Sequence, residues 1–168
     1  MPPAALPPVV VDVAVEARGW RDGVPRVRER VLAAVAAAFQ AAALVARPDA
    51  EISVVLASDD TVRALNRDFR HKAAATNVLS FPAVEPDETA TAPLLGDIVL
   101  ALETTQREAA DEAKPLEHHL SHLVVHGVLH LFGFDHICDE DAERMESLER
   151  AALASLGIPD PYAAETTH

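Results

Sequence analysis

Alternating and helically spaced apolar positions divide this chain into strands and helices along most of its length. Val9–Val15 is β-branched and alternates, which predicts a first strand. Pro25 then suits the opening of a helix running to about Ala46, with Val27, Val31, Leu32, Val35, Phe39 and Leu44 at near-helical spacing and Pro48 beyond its end. The stretch EISVVLA (Glu51–Ala57) predicts a second strand. Ser58 can cap the helix after it, with Asp59 and Asp60 at its positive end and Val62, Leu65, Asn66 and Phe69 as its inward stripe.

TNVLSF (Thr76–Phe81) predicts a third strand stopped by Pro82. The acidic, proline-containing run from Pro82 to Pro93 reads as a mobile loop. Gly96–Leu102 predicts a fourth strand and Glu103–Ala113 a helix. A better-defined helix follows from Pro115 to about Phe132. Asp139 can cap a last helix that turns Met145, Leu148 and Ala152 inward and ends at Gly157 and Pro159, with a loose tail over residues 157–168. This order predicts an α/β (α+β) fold, a small mixed four-stranded sheet packed with helices.

A length of 168 residues, 49% of them apolar, fits one domain with a core over residues 9–156. The N-terminal MPPAALPPVV has no basic residue and is broken by prolines, unlike a secretory signal. The apolar run from Val31 to Ala46 falls short of the ~20 residues of a membrane span. The lone cysteine, Cys138, allows no intrachain disulfide and reads as a small buried hydrophobe. Together these features predict a cytoplasmic chain with no membrane partner. The net charge of −13 argues against a broadly basic nucleic-acid surface. Arg63, Arg67, Arg70, His71 and Lys72 nevertheless gather into a local basic stretch, so the average charge does not exclude such a partner.

The most informative segment is HGVLHLFGFDH, His126 to His136. His126 and His130 are four apart on one helical face, with Cβ atoms about 5–6 Å apart, so both can direct nitrogens at one metal ion. Gly133 permits the left-handed turn that ends the helix and lets His136 approach from another side. Three histidines leave a position open, as in a catalytic zinc site, so one zinc ion per chain is expected. Asp135 can orient a ligand imidazole or be a solvated turn residue. His122 and His119, one and two turns earlier, are either supports behind the ligands or exposed. The spacing is shared with metzincin-type metalloproteases, whose general-base glutamate follows the first histidine. Gly127 stands there in this chain, which disfavours a protease.

A second block is Phe69-Arg70-His71-Lys72 followed by TNVLSFP. Arg70 can offer a planar fork to a phosphate or be a surface arginine at a helix end, where positive charge is favoured anyway. Asn77 and Ser80 can contact substrate or satisfy nearby backbone groups.

The blocks LNRDFRHKAAATNVLSFP, LGDIVLA, HLVVHGVLHLFGFDH and DEDAERMESLE, in this order, resemble the bacterial YbeY family, described as single-strand-specific endoribonucleases that mature ribosomal RNA. The resemblance covers roughly Val9 to Leu156. It implies zinc on His126, His130 and His136, a zincin-like metal helix at a cleft, and Arg70 as the arginine near the metal. On the reading of the residues themselves, Arg70, Lys72, Asn77 and Ser80 are the candidate substrate contacts, with Asp135 and His122 the candidates for a place behind the ligands. The implied partners are single-stranded RNA, ribosomal RNA and the ribosome or its proteins, with roles at the small-subunit RNA 3′ end and in ribosome quality control. Ala73 and Ala75 depart from the family's usual charged residue and proline.

Overall fold

The computed structural model describes residues 6–70, 76–135 and 138–163, with Arg70 described by its backbone alone. Four strands, β1 (Val10–Val15), β2 (Glu51–Ala57), β3 (Val78–Pro82) and β4 (Leu94–Ala101), form one sheet in the order β1-β2-β4-β3. β1, β2 and β4 run parallel, and β3 closes the edge antiparallel to β4. The small mixed four-stranded sheet expected from the sequence is therefore present. Among the described residues it is accompanied by six helices: α1 (Gly19–Gly23), α2 (Val27–Ala41), α3 (Asp59–Arg70), α4 (Leu102–Asp111), α5 (Leu116–Leu131) and α6 (Asp139–Ser155).

The main core lies on one face of the sheet. Ile52, Val54 and Leu56 of β2 and Ile98 and Leu100 of β4 meet Val31 and Val35 of α2, Val124 and Val128 of α5, and Met145 and Leu153 of α6. Trp20, fully buried in α1, donates its indole N–H to the Ala57 carbonyl at 2.9 Å, which pins the first crossover to the end of β2. A smaller cluster on the other face packs Val62 of α3 on Ala57, Leu79, Val99 and Ala101. The Ser58 hydroxyl caps α3 by accepting the Thr61 N–H at 3.3 Å.

Four helices end by one device. A residue with positive φ follows the last turn, and two backbone N–H groups reach back to carbonyls of that turn. After α5 this residue is Gly133 (φ 95°), whose N–H donates to the His130 carbonyl while that of Phe134 donates to Leu129. Gly157 (φ 75°) does the same after α6, and the alanines Ala43 (φ 50°) and Ala113 (φ 54°) do so after α2 and α4. α2 therefore stops at Ala41 rather than about Ala46, because the chain turns left-handed at a residue that carries no sequence signal for it.

Two segments are more ordered than their polarity suggests, and one residue is more exposed. The run expected to be a mobile loop contains a 3-10 turn at Pro86–Glu88, closed by reciprocal Glu85 and Glu88 capping, with Thr89 and Ala92 buried behind it. Paired polar groups and proline hold the turn itself, while Val84 and Ala92 anchor the run to the main core. The tail expected to be loose is packed as far as Ala163: Ile158 is buried and Tyr162 reaches α6. Residues 164–168 lie outside the described residues. Cys138 is exposed at the N-cap of α6 rather than buried, because the chain is still at the surface as it enters that helix.

Alanine in the left-handed region costs about 1–2 kcal/mol, which glycine avoids. Ala43→Gly is expected to raise the free energy of unfolding and Gly157→Ala to lower it, each by about 1–2 kcal/mol in urea titrations.

Candidate active site

α5 carries the candidate ligands and lies directly on the sheet. The contact closes at Gly127, where an added Cβ would stand 2.7 Å from Ile98 Cγ2 of β4. Beside it the Ser80 hydroxyl of β3 donates to the Gly127 carbonyl at 3.3 Å. With this face against the strands, His126 and His130 are half-buried and line a cavity of about 430 Å³ together with Ser80 and Asp135. A neighbouring cavity of about 550 Å³ shares His130 and is walled by the Glu85–Glu88 turn. The turn meets α5 where an added Cβ on Gly133 would lie 2.8 Å from the Pro86 ring.

The two imidazoles converge. Their Nε2 atoms are 3.0 Å apart and their ring planes stand at 74°. Two nitrogens on one tetrahedral zinc, each bonded at about 2.0–2.1 Å, would be about 3.3–3.4 Å apart, so the pair is close to a shared-ion arrangement. His136 lies outside the described residues, as does Lys72, and nothing is described of the Arg70 side chain beyond its position at the end of α3. Among the described residues no group of three or more His, Cys, Asp or Glu side chains is placed to hold a metal ion.

Behind His126 stands Glu149 of α6, which is fully buried. Its Oε2 accepts from His126 Nδ1 at 3.1 Å, and its Oε1 accepts from His122 Nε2 at 2.5 Å and from the Tyr162 hydroxyl at 2.7 Å. Burial opposes the charge on this carboxyl, but the hydrogen bonds donated by His122 and His126 outweigh it and hold the group well below the usual carboxylate range. An ionised carboxylate only accepts, so the proton of a neutral His126 is on Nδ1. Its Nε2 lone pair then faces His130 and the cavity. This donor set fits a divalent metal: two imidazole nitrogens converge, and one is fixed from behind by an anion.

Glu149 is the residue that sequence reasoning missed. It stands four residues after Met145 and three before Ala152 on the inward stripe of α6, and a carboxylate at such a position is the signal that could have found it. His122 reaches the site from behind, through Glu149, an edge-on ring contact with His126 and contacts with Tyr162. Asn77 is turned toward α4, donating to Glu108 Oε1 at 2.9 Å. The same oxygen accepts from Nε2 of His119, which is 4% exposed, at 2.8 Å. The Nδ1 atoms of His119 and His122 are buried and find no hydrogen-bond partner among the described residues.

Two outcomes follow from these contacts. Gly127→Glu, which places the metalloprotease base where β4 already lies, is expected to cost about 1–3 kcal/mol from overpacking and to yield no peptide hydrolysis. Urea unfolding and a peptidase assay check both. Burial holds the His119 imidazole below its usual value, against the opposing pull of Glu108. The folded chain therefore binds fewer protons than the unfolded chain below about pH 6.5, and stability falls as pH falls through that window. Urea titrations of metal-free protein at about pH 7.5 and about pH 5.5 are expected to show this loss, reduced in His119→Gln.

Comparison with known proteins places the chain in a family. The family model for Endoribonuclease YbeY matches residues 19–157, which span α1 to the end of α6. Relatives of the same name include one from Rhodopseudomonas palustris strain CGA009, 58% identical over 118 residues, covering 69% of this chain and 62% of the relative. One from Pseudomonas putida strain F1 is 56% identical over 119 residues, 71% of this chain and 76% of the relative. Another, from Rhodopseudomonas palustris strain HaA2, is 48% identical over 162 residues, 90% and 80%. The matched part thus spans less than two thirds of the first of these relatives. The solution structure of TM1509 from Thermotoga maritima shares the fold, with a TM-score of 0.54 and 23% identity over 88% of this chain and 92% of that one. Matched over most of its length by the family model and by relatives at this identity, the chain belongs to the YbeY endoribonuclease family.

Proposed function

We propose that this protein is a zinc-dependent endoribonuclease that cuts single-stranded RNA in the cytoplasm, matures ribosomal RNA at the small-subunit 3′ end, and takes part in ribosome quality control. The observation that carries the reading is the convergence of His126 Nε2 and His130 Nε2 at the cavity, with His126 fixed by a buried carboxylate. His126, His130 and His136 would hold the ion. Zinc bound there supplies Lewis-acid stabilisation of the charge that develops on a phosphodiester.

The chain's own residues divide the remaining work. Glu149 keeps the Nε2 lone pair of His126 toward the cavity. Ser80 holds the α5 backbone at Gly127 while lining the same space. Arg70, at the end of α3, supplies a permanently charged fork for the phosphate, with Lys72 adding positive charge close by in sequence. Gly127 leaves no carboxylate at the sequence position that follows the first ligand, and Glu149 is committed to the back of the His126 ring. The nucleophile or its base therefore comes from elsewhere, and an RNA 2′-hydroxyl is chemically sufficient. No described helix is long and apolar enough to cross a membrane.

A non-catalytic ribosome-assembly role, with zinc stabilising the fold, is the second reading. The acidic groups at the cleft (Glu85, Glu88 and Asp135) and the net charge of −13 favour it, since they suit basic ribosomal proteins better than a phosphate backbone.

Cleavage of a structured ribosomal RNA fragment separates the two, with zinc content measured on the same samples. The nuclease reading expects cuts in single-stranded regions by zinc-loaded wild type and none by His130→Ala. It expects Arg70→Ala to retain zinc and cut about 10²–10³ times more slowly. Stoichiometric zinc without cutting moves the conclusion to the assembly role.

A further inference from the structure

The two readings above leave unexplained why the segment after α6 is packed against the back of the histidine helix. Gly157 turns the chain at the end of α6, and Ile158 buries itself in the main core. Tyr162 then comes back to place its hydroxyl 2.7 Å from Glu149 Oε1. Arg150 of α6 holds this return from both sides. Its guanidinium lies 5.2 Å over the Tyr162 ring, and its Nε donates to Asp160 at 3.2 Å. The Asp160 carboxylate also accepts the Tyr162 backbone N–H at 2.8 Å.

We propose that Glu149 is the positioning residue of the metal centre and that Tyr162 makes the C-terminal segment part of that centre. This inference rests on the zinc reading above. Glu149 carries three donors, and each constrains it differently. His126 is the ligand being aimed. His122, one turn earlier on α5, fixes the carboxylate along the helix. Tyr162 fixes it from the far end of the chain.

A buried anion is costly unless it is paired, and neutral donors only part-compensate it. A divalent cation on the far side of the His126 ring completes the pairing. The carboxylate is therefore worth most when the metal is bound. Loss of a support of this kind weakens metal binding by about 10–100-fold in comparable sites. Tyr162 acts one bond further out and is expected to have a smaller effect in the same direction.

The test measures metal affinity on full-length protein by competition with a chromophoric zinc chelator. Cobalt absorption serves as a second readout of ligand geometry, and thermal melting of the metal-free protein reports on the fold. Wild type is expected to bind one ion and His130→Ala none. Glu149→Gln is expected to bind about 10–100 times more weakly with a changed cobalt spectrum, and Tyr162→Phe to shift both in the same direction by less.

Zinc binding by wild type together with unchanged affinity and spectrum in both variants overturns this proposal and leaves the zinc reading standing. A lowered melting temperature with unchanged affinity, the mark of a purely structural carboxylate, overturns it equally. Absence of zinc on wild type overturns the zinc reading and this proposal with it. Should Glu149→Gln fail to fold, nitrogen-15 imidazole spectra of metal-free wild type decide. A proton on His126 Nδ1 with Nε2 bare supports the proposal, and the opposite tautomer overturns it.

Discussion

A carboxylate sealed between α5 and α6 is the constraint around which the rest of the molecule is arranged. Glu149 is fully buried, and a charge in that position is tolerated only if its oxygens are filled. Two of its three donors are spaced one turn apart on α5, which sets the rotation of that helix about its axis and its height against α6. The third comes from the segment after α6, which must fold back to deliver it. Rotating α5 by a fraction of a turn would strand the carboxylate, misdirect His126 and drive Gly127 off Ile98 together. Helix orientation, chain-end packing and imidazole direction are thus one requirement met three times.

The other side of α5 is fixed by contact rather than charge. At Gly127 the helix approaches β4 as closely as a backbone without a side chain allows, and Ser80 bonds to the carbonyl exposed there. That proximity forms the cleft, since it leaves the histidines at the open margin of the sheet beside β3. It also bears on mechanism. The position that carries the general base in metalloproteases of similar spacing is occupied by the sheet itself, so the ligand pattern is shared while the catalytic position is not.

What could be read from sequence follows from where each signal resides. β2 was legible to the residue because EISVVLA is apolar, β-branched and bounded on both sides. The end of α5 was legible because glycine at 133 announces a left-handed turn. The identical turns at Ala43 and Ala113 were not, since alanine announces nothing and tertiary packing imposes the conformation. The Pro82–Pro93 run and the residues after Gly157 looked loose because hydropathy does not register order built from reciprocal capping, one tyrosine hydroxyl and isolated buried residues such as Ala92 and Ile158. At the site, His126 and His130 were found because helical spacing is a local property. Glu149 was overlooked because its meaning depends on a neighbouring helix, and Asn77 and Ser80 could not be assigned until their partners, Glu108 and Gly127, were visible.

The chain contains a single tyrosine, and it is the one hydrogen-bonded to Glu149. Burial and the adjacent carboxylate hold its phenol above the usual range. A phenol that donates to a carboxylate absorbs at longer wavelength than one in water, and its emission is quenched. Tyr162 is therefore a built-in reporter of the back of the histidine site, needing no label, and its phenol signal, once that of Trp20 is subtracted, is shared with no other tyrosine.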